Sequence, residues 1–162
     1  ALPDGSVILT DGIVELMQDH PEQLNAVLLH EIGHVEHKHS LKTLAQATAT
    51  TMMFAMMFGD IDGAGELILG AGTSLLQSAF SRDMEREADA YAYTQLHKIG
   101  HSPVDFANAM RALMKSHGAS DEQLQGNGNR EDDGKELLEY LSSHPDTLER
   151  IKAAEEWQPD TK

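Results

Sequence analysis

The chain has no cysteine, so disulfides and thiolate metal sites are excluded. That absence does not fix a compartment, because cytosolic and periplasmic proteins can both lack the residue. Basic residues are scarce: Lys plus Arg number 12 against 27 Asp plus Glu, a formal net charge of −15. Binding a nucleic-acid backbone without regard to sequence needs a basic footprint that displaces counterions, so no nucleic-acid partner is expected. A polybasic patch for anionic membrane surfaces is excluded on the same ground. Aromatics are only 5% of residues, which leaves Leu, Ile, Val, Ala and the 8 Met to build a core. No apolar run reaches the roughly 20 residues that span a bilayer. The nearest candidates, 43–59 and 67–80, are uncharged but interrupted by Thr, Ser or Gln.

With 162 residues, 40% of them apolar, the chain suits one domain with a substantial core. We therefore expect residues 1–162 to form a single domain. The first residue is Ala1 and no signal peptide is visible, so the chain reads as a domain excised from a longer protein, with any anchor upstream.

Residues 6–10, Ser-Val-Ile-Leu-Thr, favour a strand between the turn-like Pro3-Asp4-Gly5 and Asp11-Gly12. The rest of the chain reads as helical, so the expected class is α+β, mainly α, with a short N-terminal β segment. Pro21 suits a first helical position and Glu22 a first turn. Leu24, Val27, Leu28, Ile32 and Val35 recur at helical spacing, predicting a helix to about Lys38 with Ser40 capping the next. Segments 43–59 and 67–80, joined by a turn at 59–63, predict a buried helical hairpin. A lid over a site or a membrane contact is the alternative, since Met-rich surfaces adapt to varied partners. A third long helix is predicted over 81–99, closed by Gly100, and another from Pro103 to about His117. Residues 118–134 predict a mobile surface loop, and two short helices flank His144-Pro145.

His30-Glu31-Ile32-Gly33-His34 lies inside the best-supported helix. Two His four residues apart differ by about 40° around the axis and stand one turn apart, so their ring nitrogens can converge on one ion. Glu31 can then stand beside a metal-activated water without being a ligand. This pattern suits zinc hydrolysis. The bland alternative is a polar patch on a surface helix, but the apolar neighbours imply partial burial, where two His and a Glu need satisfying partners. His37 lies about 10.5 Å along the axis from His30, too far to close the same site, and His39 points to another face. Both are expected to be structural or surface residues. A third ligand is offered by Glu85 or Asp89, four residues apart on one helix face, one binding metal while the other orients a ligand His. Spacing alone does not choose between them, and a solvated acidic face is the plain alternative. Glu87 points elsewhere and is expected to pair with Arg82 or Arg86.

His-Glu-Ile-Gly-His-Val at 30–35 with His39 after it, then Ser81-Arg82-x-x-Glu85-x-Glu87-Ala88-Asp89, then His144-Pro145 with Arg150, resemble in that order one family. It is the gluzincin zinc metallopeptidases that include the CAAX prenyl protease, HtpX and OMA. The opening Leu2-Pro3-Asp4-Gly5 to Thr10-Asp11-Gly12 is also similar to the segment before that family's zinc helix, although Pro-Gly-Gly is frequent there. The resemblance covers nearly the whole chain. It implies a zincin-like helical domain with one Zn²⁺ held by His30, His34 and Glu85, Glu31 as general base, and Asp89 orienting a ligand. His144 and Arg150 would hold substrate, stabilise the oxyanion or latch the enzyme; bracing a helix start is their plain alternative. Residues 7–9 would be the edge strand on which an extended substrate pairs. The implied activity is a zinc endopeptidase acting on polypeptides, unfolded or membrane-derived, at a bacterial cell envelope. Membrane contact would come through 43–80 or an upstream anchor. The alternative is a zinc-bound latent peptidase serving as a binding or chaperone-like module.

Overall fold

The computed structural model describes residues 1–58, 80–116, 118 and 146–159. Six helices stand in that part: α1 Asp11–Leu16, α2 Pro21–Glu36, α3 His39–Phe58, α4 Arg82–Lys98, α5 Val104–Ser116 and α6 Thr147–Glu156. The expected mainly helical class holds. The expected β segment does not: residues 6–10 are not a strand, and no strand occurs among the described residues. A strand needs a ladder partner, and none stands beside this stretch among those residues. Leu2 and Ser6 instead close a turn, the Leu2 amide donating to the Ser6 carbonyl at 2.8 Å. Asp11-Gly12, expected as a break, opens α1. Thr10 caps it by accepting from the Ile13 amide, and Asp11 suits the positive helix start.

Pro21 opens α2 as expected, with Glu22 in the first turn. The helix stops at Glu36 because Lys38 takes φ +55°, the left-handed region. The His37 ring bonds the Gly33 carbonyl through Nδ1 at 2.9 Å, satisfying one of the carbonyls left open at the helix end. The chain thus reverses one residue before α3. Ser40 does not cap that helix, which begins at His39; its hydroxyl donates to the Ala1 carbonyl at 2.7 Å. The far half of α3 is not buried: Met52, Met53, Phe54, Met56 and Met57 are all at least half exposed. The second arm of the expected hairpin, over 67–79, lies outside the described residues, as does the expected loop over 119–134. No helix among the described residues is long and apolar enough to cross a membrane.

Ser81 caps α4 by accepting from the Met84 amide, and Asp83 and Glu85 occupy its first turn. Its other end closes through Gly100 at φ +81°. There the Gly100 amide bonds the His97 carbonyl and the His101 amide the Leu96 carbonyl, the paired bonds of a Schellman stop. The core gathers Met17, Val27, Tyr93, Leu96, Phe106, Met110, Leu113, Met114 and Ile151, drawn from α2, α4, α5 and α6 and from the end of α1. Around this core α2 lies directly against α4. The approach is so close that a Cβ on Gly33 would lie 2.8 Å from the Ala88 carbonyl oxygen and 2.9 Å from its Cα. Only glycine permits it, and the crossing brings the histidine face of α2 onto the acidic start of α4.

Candidate metal centre

His30, His34 and Glu85 meet at that crossing, each no more than 3% exposed. The two Nε2 atoms are 3.0 Å apart. Glu85 places Oε2 at 3.5 Å from His30 Nε2 and Oε1 at 3.4 Å from His34 Nε2. One ligand atom from each residue lies within 4.8 Å of the others. Of the two carboxylates that spacing leaves open, Glu85 faces both Nε2 atoms and Asp89 does not. Asp89 reaches the other side of the first ring, its Oδ1 2.9 Å from His30 Nδ1.

Arg150, on α6, fills the space behind these carboxylates and is 4% exposed. Its Nε and Nη2 donate to the two oxygens of Asp89, each at 2.7 Å. Its Nη1 makes an ion pair with Glu85 at 2.6 Å. The guanidinium carbon lies 5.3 Å from the centroid of the Phe106 ring, which also packs on His30. The Tyr93 hydroxyl donates to the Arg150 carbonyl at 3.3 Å. A helix remote in sequence is thus joined to the centre by a two-pronged charge-assisted bond.

The second ring has its own support. His34 Nδ1 lies 3.0 Å from His39 Nδ1, and His39 Nε2 lies 3.0 Å from Glu87 Oε2. Phe80 stacks on His34 with centroids 4.0 Å apart. The expectation of a remote His39 comes from continuing α2 past Lys38; the left-handed residue turns His39 back. Glu87 accordingly pairs with His39, not with an arginine. Arg86 bonds Asp83 and Glu149, and Arg82 pairs with Asp146. His37 stays away from the centre, as expected. Glu31 is partly buried, and its Oε2 is 2.6 Å from the Ala1 amino nitrogen. His144 lies outside the described residues.

Burial holds the His30 and His34 imidazoles below their ordinary pKa, against the pull of the nearby carboxylates. Both rings are therefore neutral near pH 7, the form that binds a metal. Burial alone would raise the Asp89 carboxyl, but bonds from His30 and Arg150 outweigh it and hold the group below its ordinary value. Two imidazoles held neutral by burial and one facing carboxylate form a donor set that could hold a metal ion.

Comparison with known proteins identifies the family of the chain. The model of peptidase family M48 matches residues 1–158. The chain is 30% identical to the mitochondrial metalloendopeptidase OMA1 of Schizosaccharomyces pombe, over 98% of this chain and 43% of that protein. It is 32% identical to the metalloprotease LoiP of Escherichia coli, over 71% of this chain and 46% of that one. It is 31% identical to a protease HtpX homolog of Desulfatibacillum aliphaticivorans, over 92% of this chain and 55% of that one. The chain spans about half the length of these curated relatives. No solved structure matches it. The family match runs through both helices of the centre and the arginine behind them, and on it the chain belongs to peptidase family M48.

Proposed function

We propose that this chain carries the catalytic centre of a zinc-dependent endopeptidase acting on polypeptide substrates. The observation that carries the reading is the convergence of His30, His34 and Glu85 within 4.8 Å in a buried crossing. His30 and His34 would hold the ion through Nε2 and Glu85 through its carboxylate. Bound there, Zn²⁺ supplies Lewis acidity for the scissile carbonyl and lowers the pKa of a bound water to about 7. Glu31 takes the proton of the attacking water and delivers it to the leaving amine. Asp89 fixes the His30 ring by accepting from Nδ1, so that Nε2 keeps its lone pair for the ion. Arg150 is buried, with Nε and Nη2 bonded to Asp89, Nη1 paired with Glu85 and Nη2 also beside the His30 ring, so we assign it to holding the ligand helix in place, not to touching substrate. His144 keeps the role its His-Pro context implies, a substrate, oxyanion or latch residue.

We place the enzyme in a membrane-associated setting, in bacteria the cell envelope, with protein quality control as its task. The exposed, uncharged Met-rich end of α3 supports a membrane contact there. The deciding experiment is hydrolysis of an unfolded protein such as casein by the zinc-loaded chain, with Glu31→Gln alongside. Turnover by the parent and a loss of about 10²-fold or more in the variant, with zinc retained, is expected. Equal turnover would remove Glu31 as general base. Stoichiometric zinc with no turnover in either would favour the latent binding module.

A further inference from the structure

Two histidines of a zinc centre need two orienting partners, and the function proposed above accounts for one of them, Asp89 behind His30. The partner of His34 is His39. Its ring is fully buried, with Nδ1 at 3.0 Å from His34 Nδ1 and Nε2 at 3.0 Å from Glu87 Oε2. These distances fix the hydrogen positions once His34 Nε2 is given to an ion. For His34 to present Nε2 to an ion, its proton must sit on Nδ1 and be donated to His39 Nδ1. His39 Nδ1 is then an acceptor, so its own proton sits on Nε2 and is donated to the Glu87 carboxylate. One neutral tautomer of each ring satisfies every bond in the chain.

The backbone is built for this contact. Lys38 adopts φ +55° between α2 and α3, a conformation that costs an L-residue about 1–2 kcal/mol. It places His39 at the first position of α3, facing back toward the helix it has just left. Glu87 stands two residues after Glu85 on α4, so the helix that offers the carboxylate ligand also anchors the far end of the relay.

We propose that His39 and Glu87 are positioning residues for the metal: Glu87 orients His39, and His39 fixes the tautomer and ring angle of His34. The inference rests on the metal centre proposed above. A partner of this kind typically contributes roughly 10- to 100-fold in metal affinity. The test is zinc affinity by competition with a chromophoric chelator, with the Co²⁺-substituted visible spectrum as second readout. Parent, His39→Phe, His39→Asn and Glu87→Ala are compared. His39→Phe keeps a ring without nitrogens and should weaken zinc at least tenfold and alter the Co²⁺ bands. His39→Asn retains an acceptor for the His34 proton and should recover part of the loss. Glu87 is half exposed, so Glu87→Ala leaves folding intact and should weaken zinc by a smaller factor. Parent-like affinity and spectra in both His39→Phe and Glu87→Ala overturn this inference alone. Absence of stoichiometric zinc in the parent overturns the metal centre and this inference with it.

Discussion

Gly33→Ala tests whether the helix crossing sets the geometry of the centre. The added Cβ would lie 2.8 Å from the Ala88 carbonyl oxygen, 2.9 Å from its Cα and 3.3 Å from its carbonyl carbon. Ordinary contact begins near 3.4 Å, so relieving the shortest distance needs 3.4 − 2.8 = 0.6 Å of separation. The obstacle is backbone on a buried helix, and no side-chain rotation removes it. Overpacking of this kind costs about 1–3 kcal/mol, and the better helix propensity of Ala returns about 1 kcal/mol. The expected net destabilisation is about 1–2 kcal/mol, since the rigid neighbour places the strain in the upper part of its range. That is a fall in Tm of roughly 2–8 °C for a chain of this size. Because Glu85 lies on the displaced helix and the histidines on the other, zinc affinity should fall too: metal–ligand distances tolerate only about 0.2 Å. The assay is thermal unfolding of chelator-treated protein together with zinc competition. Gly12→Ala is the control, for nothing lies within 4 Å of its Cβ position, and it should be neutral or slightly stabilising. A Gly33→Ala protein with the parent's Tm and zinc affinity would refute the reasoning.

Arg150→Met leaves Asp89 and Glu85 buried without their cation; a loss of about 3–5 kcal/mol in urea unfolding is expected, partly recovered by zinc. An unchanged midpoint in chelator would show that the pairing carries no stability. The metal-free chain should weaken on acidification. Burial depresses the folded pKa of His30, His34 and His39 below 6.5, so below that pH the unfolded chain binds more protons and the unfolding free energy falls as pH falls. Urea midpoints that stay flat from about pH 8 to about pH 5 would contradict the assigned burial. Lys38→Gly relieves the left-handed strain at φ +55° and should gain about 0.5–1 kcal/mol in urea unfolding after the greater chain entropy of Gly is subtracted. A loss there would mean that the Lys38 side chain itself stabilises the turn.

Much of the centre was legible in local patterns. The i, i+4 spacing of His30 and His34 follows from helix geometry, and the Pro21 start and the Gly100 stop follow from backbone chemistry that each residue carries wherever it stands. The family resemblance then favours Glu85 over Asp89 as the ligand, a choice that periodicity leaves open. Three features were decided only by tertiary structure. His39 reaches His34 because one residue, Lys38, is held left-handed, and a helical wheel drawn through that break points His39 the wrong way. Arg150 reaches Asp89 because α6 packs beside α4, a contact between residues 61 positions apart that no local pattern encodes. The segment 6–10 has strand propensity but no ladder partner among the described residues, and a strand exists only as a pair. Sequence alone set His30 and His34 one turn apart on one helix face, because helix periodicity is a property of the chain itself. The fold determined what stands behind those groups, because orientation and charge balance belong to neighbours brought in from elsewhere.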